Sequence, residues 1–324
     1  MSKYMKAFVC EKYGPPQLLK IQEVPQPTPK ENEVLLRIRA TAINDYDWSM
    51  VRGKPYLYRL MFGIRKPKRQ IPGMELAGTI EAIGSNVKKL KIGDAVYGDI
   101  SDYGFGSFAE FICIHEKAVV EKPETMKFDE AASLPHAALL ALQGLRKGNI
   151  KKGQRILING GGGGVGFFGL QLAKLHECEV TGVDTGKKLE TMKSLGFDYV
   201  IDYKKEDFTR SHQKYDLVLD CKTNRSPLAY VRSLKLEASY ITVGGKPHRL
   251  LQMLCYKKFI SLFHKKQLSI LSLKPNQGLE EINQLYIQGK LKCVIDGPHT
   301  FKKIPELITY FGRGEHIGKI VVVL

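Results

Sequence analysis

The stretch RILINGGGGGVGFFGLQLAK, residues 155–174, decides how the rest of the chain is read. Residues 155–158 have strand character, residues 160–166 are glycine broken only by Val165, and an apolar segment of helical composition follows. A strand, a turn stripped of side chains and a helix opening on that turn make an anion site. Unpaired N–H groups and the helix dipole attract a phosphate there, and the missing side chains let it come close. Gly161, Gly163 and Gly166 carry the G-x-G-x-x-G spacing of a dinucleotide loop, with Gly162, Gly164 and Val165 between them. Asp184 follows roughly 20 residues on, at the end of the next strand-like segment, where such sites keep an acid for the ribose hydroxyls.

The bulk composition agrees with a globular enzyme. A chain of 324 residues is long enough for two domains, and 43% apolar with 26% charged residues is ordinary for a soluble protein. No run approaches the roughly 18 apolar residues of a membrane span. The opening MSKYMKAFVCEKYGPP lacks the charged-then-apolar layout of a secretory signal, so a cytoplasmic location is expected. Six scattered cysteines (Cys10, Cys113, Cys178, Cys221, Cys255 and Cys293) form no C-x-x-C pair, which argues against structural zinc and against a disulfide framework. A net charge of +17 suits nucleic acid, an anionic membrane or a phosphate-rich cofactor. Because the lysines and arginines are spread without a basic arm, nucleic-acid binding is not the reading.

Residues 1–120 read as β-rich, with strand-like alternation at 5–10, 18–23, 33–42, 74–83, 95–97 and 108–114 and punctuation by glycine and proline. The segment 56–70 mixes aromatic and basic residues, either as a loop at a binding mouth or as a solvated surface. From about residue 118 strands alternate with helical segments. Helix is expected at 129–145, 164–175, 187–195 and 228–236, and strand at 156–159, 179–183, 199–201, 217–220 and 240–243. That alternation implies right-handed crossovers and a parallel sheet covered on both faces. The run RLLQMLCYKKFISLFHKK, residues 249–266, is apolar and basic together. It reads as a helix bordering a cleft or a subunit contact, ahead of a membrane-surface helix. The tail is expected to hold helix 279–288, strand 291–295, helix 302–311 and a last strand, 319–324.

Taken in order, the motifs resemble the zinc-free quinone oxidoreductase (zeta-crystallin-like) branch of the medium-chain dehydrogenase/reductase superfamily. They are KYGPP (12–16), EVLLRIRATAIND (33–45), PGMELAGTIEAIG (72–84), LKIGDAVYG (90–98), GSFAEFICI (106–114), NGGGGGVGFFGLQLAK (159–174), LGFDYVIDYKKEDF (195–208) and GKIVVVL (318–324). The resemblance implies an α/β protein in which a Rossmann, doubly wound parallel-sheet domain is inserted into a GroES-like β-rich catalytic domain. The expected parts are 1–120 and 274–324 for the catalytic domain and 121–273 for the NAD(P)-binding domain. Relatives of this kind form homodimers.

Zinc-dependent members resemble G-H-E where this chain has Gly73, Met74 and Glu75, and they carry a cysteine near the position of Asn44. A thioether and an amide do not replace imidazole and thiolate as zinc ligands, so no metal site is expected. Without a Lewis acid, reduction of a quinone or an α,β-unsaturated carbonyl is favoured over alcohol oxidation. The alternatives are an alcohol dehydrogenase and a cofactor-binding protein that acts through a partner, RNA or a membrane. The resemblance puts Asn44 near the nicotinamide, where its amide orients a carbonyl. Tyr46 is a candidate proton donor, and Asp47 a residue that orients local backbone. His115 and His136 read as satisfied core or surface histidines. Further cofactor neighbours are Asp220, Thr223, Gly244, Gly245 and Lys319. Asp184 favours NADH, whereas Lys187, Lys188 and Tyr203 favour NADPH; NADPH is the expectation and NADH the alternative.

Overall fold

Among residues 3–324, which the computed structural model describes, parallel strands build one large sheet and mainly antiparallel strands another. The parallel sheet runs from edge to edge as Tyr199–Asp202, Glu179–Asp184, Arg155–Asn159, Tyr215–Asp220, Leu234–Thr242 and Gln267–Ile270. By order along the chain this is three-two-one-four-five-six, the doubly wound arrangement of dinucleotide-binding domains. The sequence dictates it through continuous apolar runs. Ile156, Leu157 and Ile158 are wholly buried, as are Leu217, Val218 and Leu219, because each central strand is covered on both faces. Tyr230 and Tyr240 fill the core beside them, their rings 4.3 Å apart.

The second sheet is ordered Ile295–Thr300, Lys319–Val323, Glu33–Ala42, Glu75–Ile83, Ala95–Asp99 and Val120–Glu121, and Phe111–His115 also pairs with Glu33–Ala42. Its pairings are antiparallel except for that of Ile295–Thr300 with Lys319–Val323. Val34, Leu36, Ile38, Leu76, Ile80 and Val96 point into one apolar core, the inward set of alternating strands. A β-rich catalytic part and a Rossmann part were both expected, and both are present.

The parallel sheet belongs to a compact unit of Ala137–Lys274 with Gln288–Val294; the other unit comprises the chain up to His136, Pro275–Ile287 and Ile295–Leu324. The division expected at residue 120 therefore lies at residue 137, inside the helix Pro135–Lys147. The single helix expected over 129–145 is two, Phe128–Ser133 and Pro135–Lys147, with Pro135 opening the second because it has no N–H to donate. The strand expected at 291–295 is displaced to Ile295–Thr300. Residues just before it are held instead by Gln171, whose side chain donates to the Lys292 carbonyl (3.0 Å) and accepts from its N–H (2.7 Å). Within 56–70 there is a short 3₁₀ turn, Tyr56–Tyr58, running into the helical turn Arg59–Phe62.

Candidate active site

In the Rossmann unit, the strand Arg155–Asn159 delivers the chain to the glycine run and the helix Gly164–Lys174 leaves it, capped by Gly163. Gly160 and Gly161 anchor the turn by donating to the Val183 carbonyl at 2.9 and 3.1 Å. The amides of Gly164, Val165 and Gly166 open the helix, so none has an intrahelical acceptor. Gly166 is required by close packing: a Cβ there would lie 2.4 Å from the Gly161 carbonyl oxygen. Gly163 is different, since its Cβ would meet only the Gly160 oxygen, at 3.6 Å, which leaves open room for a ligand. This is the cradle that a pyrophosphate needs.

Asp184 ends the strand Glu179–Asp184 and is buried. Its carboxylate accepts from the N–H groups of Gly162 (3.0 Å) and Thr185 (3.0 Å), and the Lys188 ammonium lies 3.7 Å away, also buried. The acid thus braces the glycine loop and has its own counter-ion. Lys187 is exposed, and Tyr203 is close to half exposed. Asp220 is wholly buried and saturated, accepting from Asn159, Lys222, Thr223 and Tyr240. That network holds the turn after Tyr215–Asp220, where Thr223 adopts φ 41° and bonds through its hydroxyl to Thr242 and to the Gly244 carbonyl. Gly244 has open space on its Cβ side, whereas Gly245, at φ 144°, abuts Thr223.

In the β-rich unit, three segment ends converge on Glu75. Ala42 and Glu75 are cross-strand partners, Val321 pairs with Ala42, and Asn44 opens the helix Asp45–Arg52. Glu75 is wholly buried; its Oε2 accepts from the Lys319 ammonium (2.5 Å) and the Asn44 amide (2.6 Å), and its Oε1 from the His136 N–H (2.6 Å). Lys319 also donates to Asn44 Oδ1 at 2.5 Å. Asn44, expected to orient a carbonyl, therefore has both ends of its amide engaged by the protein. Asp47 accepts from the N–H groups of Asn44 (2.9 Å) and Gly73 (3.1 Å), and burial, with Glu75 close by, pushes its carboxyl up to about 8. The backbone-orienting role read from the sequence matches these contacts.

His136, read as a satisfied core or surface histidine, is satisfied by two carboxylates. It is buried, with Nδ1 2.9 Å from Asp99 and Nε2 3.5 Å from Asp45. Burial alone would lower its pKa, but hydrogen bonds to Asp45 and Asp99 raise it to about 10. At neutral pH the ring is an imidazolium held between two carboxylates. His115, by contrast, keeps a local role: its Nδ1 accepts from the Lys117 N–H at 3.1 Å. Residues 45, 99 and 136 are too far apart in sequence to announce such a cluster.

Next to it is an aromatic patch. The Tyr46 ring lies 6.2–6.4 Å from those of Tyr58, Phe62, Phe105 and His136. Tyr46 is half-buried; burial, with Asp45 alongside, pushes its phenol up to about 12, so it stays protonated at neutral pH.

Two outcomes follow from this geometry. Gly166→Ala is expected to abolish dinucleotide binding in a fluorescence titration, because the new methyl forces the helix off Gly161; unaltered affinity would refute the close-packing role. For His136, whose pKa is raised in the folded state, the stabilisation is fully present below about pH 6.5 and is lost as pH rises through about 10. Urea unfolding of wild type and His136→Gln across that window should show the wild-type advantage shrinking with rising pH; a constant difference would count against the imidazolium.

With this geometry in view, likeness to known proteins becomes informative. Residues 30–124 match the alcohol dehydrogenase GroES-like domain, and residues 195–322 match a domain described as zinc-binding dehydrogenase. A chloroplast envelope quinone oxidoreductase homolog of Arabidopsis thaliana is 35% identical over 99% of this chain and 98% of its own. The chloroplastic NADPH-dependent alkenal/one oxidoreductase of the same plant is 32% identical over 99% of this chain and 80% of its own. Among solved structures, the quinone oxidoreductase of Coxiella burnetii superposes with a TM-score of 0.88 at 26% identity, covering 99% of this chain and all of that one. The chain belongs to the medium-chain dehydrogenase/reductase superfamily, in its quinone oxidoreductase branch.

Proposed function

We propose that this protein is an NADPH-dependent reductase of quinones and α,β-unsaturated carbonyls that works without zinc. The observation that carries the reading is the Lys319 ammonium seated on Glu75 and Asn44. Where zinc-dependent relatives assemble a metal, this chain supplies a thioether, an amide already bonded at both ends and a carboxylate already paired with a lysine. That donor set does not fit Zn²⁺, which takes imidazole, thiolate or free carboxylate. A site without a Lewis acid needs an acceptor that is already electrophilic, and conjugated carbonyls and quinones meet that need. The printed names of the two plant relatives, one a quinone oxidoreductase homolog and one an alkenal/one oxidoreductase, support the same class.

The glycine cradle and the amides of Gly164, Val165 and Gly166 would hold the pyrophosphate of a reduced nicotinamide dinucleotide, which would supply the hydride; the chain's own residues position the acceptor. Tyr46, Tyr58, Phe62 and Phe105, packed edge to face, offer an apolar aromatic cluster against which a conjugated molecule can pack. The Tyr46 phenol, kept protonated, donates a hydrogen bond to the acceptor's carbonyl oxygen as negative charge grows there. For the 2′-phosphate, the charge of Asp184 is already met by two backbone N–H groups and Lys188, so repulsion is reduced, and exposed Lys187 offers a cation. The printed name of the alkenal/one oxidoreductase includes NADPH, which supports the same preference.

The deciding assay follows oxidation of NADPH and NADH with a panel of quinones, 2-enals and alkyl vinyl ketones; no acceptor-dependent oxidation above the blank would overturn the proposal. Tyr46→Phe should slow enone reduction by roughly tenfold or more while affecting quinones less, because a hydroquinone anion needs less help than an enolate. Equal loss on both acceptors would reduce Tyr46 to part of the cluster. Lys187→Glu should weaken NADPH binding about tenfold and leave NADH nearly unchanged, read by titration of cofactor fluorescence.

A further inference from the structure

The acceptor cluster uses one side of the segment 56–64 and leaves the other side bare. Phe62 is buried and Tyr58 half-buried, and both rings pack toward Tyr46. Tyr56, Leu57, Leu60, Met61 and Ile64 are exposed, from 59% at Leu57 to 71% at Ile64. Single apolar side chains on a surface are ordinary, but so many in one short segment mark a contact face. The segment is fixed in this pose by its neighbours. The Tyr13 hydroxyl donates to the Gly63 carbonyl, and the Arg59 guanidinium donates to the Gly53 carbonyl at 3.0 Å while lying over the Tyr13 and Tyr56 rings. Gly63, at φ 126°, ends the helical turn, and a Cβ there would meet the Lys66 carbonyl oxygen at 2.2 Å.

The charges point to the kind of partner. Lys54, Arg65, Lys66, Lys68 and Arg69 are exposed on or beside the segment. No Asp or Glu occurs anywhere in residues 48–74. The patch is too small to hold a second copy by itself, since a stable protein interface takes about 20 to 30 residues a side. An anionic bilayer asks for less: a few apolar side chains enter the acyl boundary while the lysine and arginine stems reach the phosphates. Tyr58 and Phe62, on the inner side of the same turn, are then set beside the layer in which apolar quinones dissolve.

We propose that the outer face of 56–64, bearing Leu57, Leu60, Met61 and Ile64, docks on an anionic lipid membrane and opens the acceptor cluster to quinones dissolved in it. The quinone half of this inference rests on the reductase reading; the docking half does not. Purified full-length protein would be sedimented with phosphatidylcholine vesicles that lack, or contain about one-third, phosphatidylserine, at low salt and at about 0.2 M salt. Binding is expected on the anionic vesicles only, surviving in part at the higher salt because apolar insertion is not screened. Leu60→Ser with Met61→Ser should weaken it at least tenfold, and Arg65→Glu with Lys66→Glu should abolish it, with NADPH affinity and melting temperature unchanged. Should either variant melt early, Met61→Trp decides the same point: its emission should shift to the blue on anionic vesicles and be quenched by brominated acyl chains. In the kinetic arm, the double serine variant should reduce a water-soluble benzoquinone at the wild-type rate and a decyl-tailed one carried in anionic vesicles about tenfold more slowly. Absence of vesicle binding, binding that ignores the serine substitutions, or a dimer in light scattering that they dissociate while vesicles remain unbound overturns the docking. Docking with equal effects on the two quinones overturns the delivery of acceptors from the membrane. If the wild type reduces neither quinone, the reductase reading falls, and sedimentation still decides the docking.

Discussion

A single buried carboxylate organises the β-rich unit. Glu75 is without solvent contact, and an unpaired carboxylate in that position would be prohibitively costly. Its two oxygens are met by Lys319, the Asn44 amide and the N–H of His136. Those partners come from the start of the last strand, the cap of the helix Asp45–Arg52 and the first turn of the helix Pro135–Lys147. Satisfying one acid thus sets the relative positions of segments far apart in the chain. The same network engages the Glu75 carboxylate and both ends of the Asn44 amide within the protein, so these groups serve to hold this unit together.

Around that anchor, charge is layered. His136 donates its N–H to Glu75 and its ring to Asp99 and Asp45. Burial disfavours the Asp99 carboxylate, but the His136 and Ser101 hydrogen bonds outweigh it and hold its pKa below the usual range. Tyr46 is adjacent to Asp45 in the chain, and its ring lies tilted 6.2 Å from that of His136, which brings the aromatic cluster beside the His136–Asp99 pair. A protonated phenol beside a carboxylate is suited to giving a hydrogen bond and poorly suited to taking a proton away, in keeping with reduction as the direction of reaction.

The Rossmann unit shows the same economy with backbone. Asp184 looks in sequence like a ribose ligand, yet its carboxylate is bonded to the amides of Gly162 and Thr185 with Lys188 beside it. Asp220 likewise serves its own turn through four donors. Both acids shape the loops that face a cofactor; the open side of the cradle is left to the helix amides and to Gly163.

How much of this was legible beforehand depends on range. The parallel sheet, the glycine turn and the alternation of strands with helices were readable because each rests on local signals: runs of Ile, Leu and Val, glycines at fixed spacing, alternation of period two. The break at Pro135 was also local, and was overlooked only because the apolar pattern continues across it. By contrast, the displaced strand Ile295–Thr300 depends on the Gln171 side chain capturing Lys292, a contact between residues 121 apart. His136 belongs to the same class. Nothing near it in sequence says that two aspartates will flank it, and in isolation an imidazole on an apolar helix is a neutral core residue. By itself the sequence determined the two folding patterns, the dinucleotide loop and the lack of imidazole and thiolate where zinc would bind, since these are properties of residue type and spacing. Only the tertiary structure decided that Lys319 sits on Glu75, that His136 carries a charge, that Asp184 turns inward and that Leu60, Met61 and Ile64 face solvent. Those depend on which distant groups share a low-dielectric space, and burial assigns that after the chain has folded.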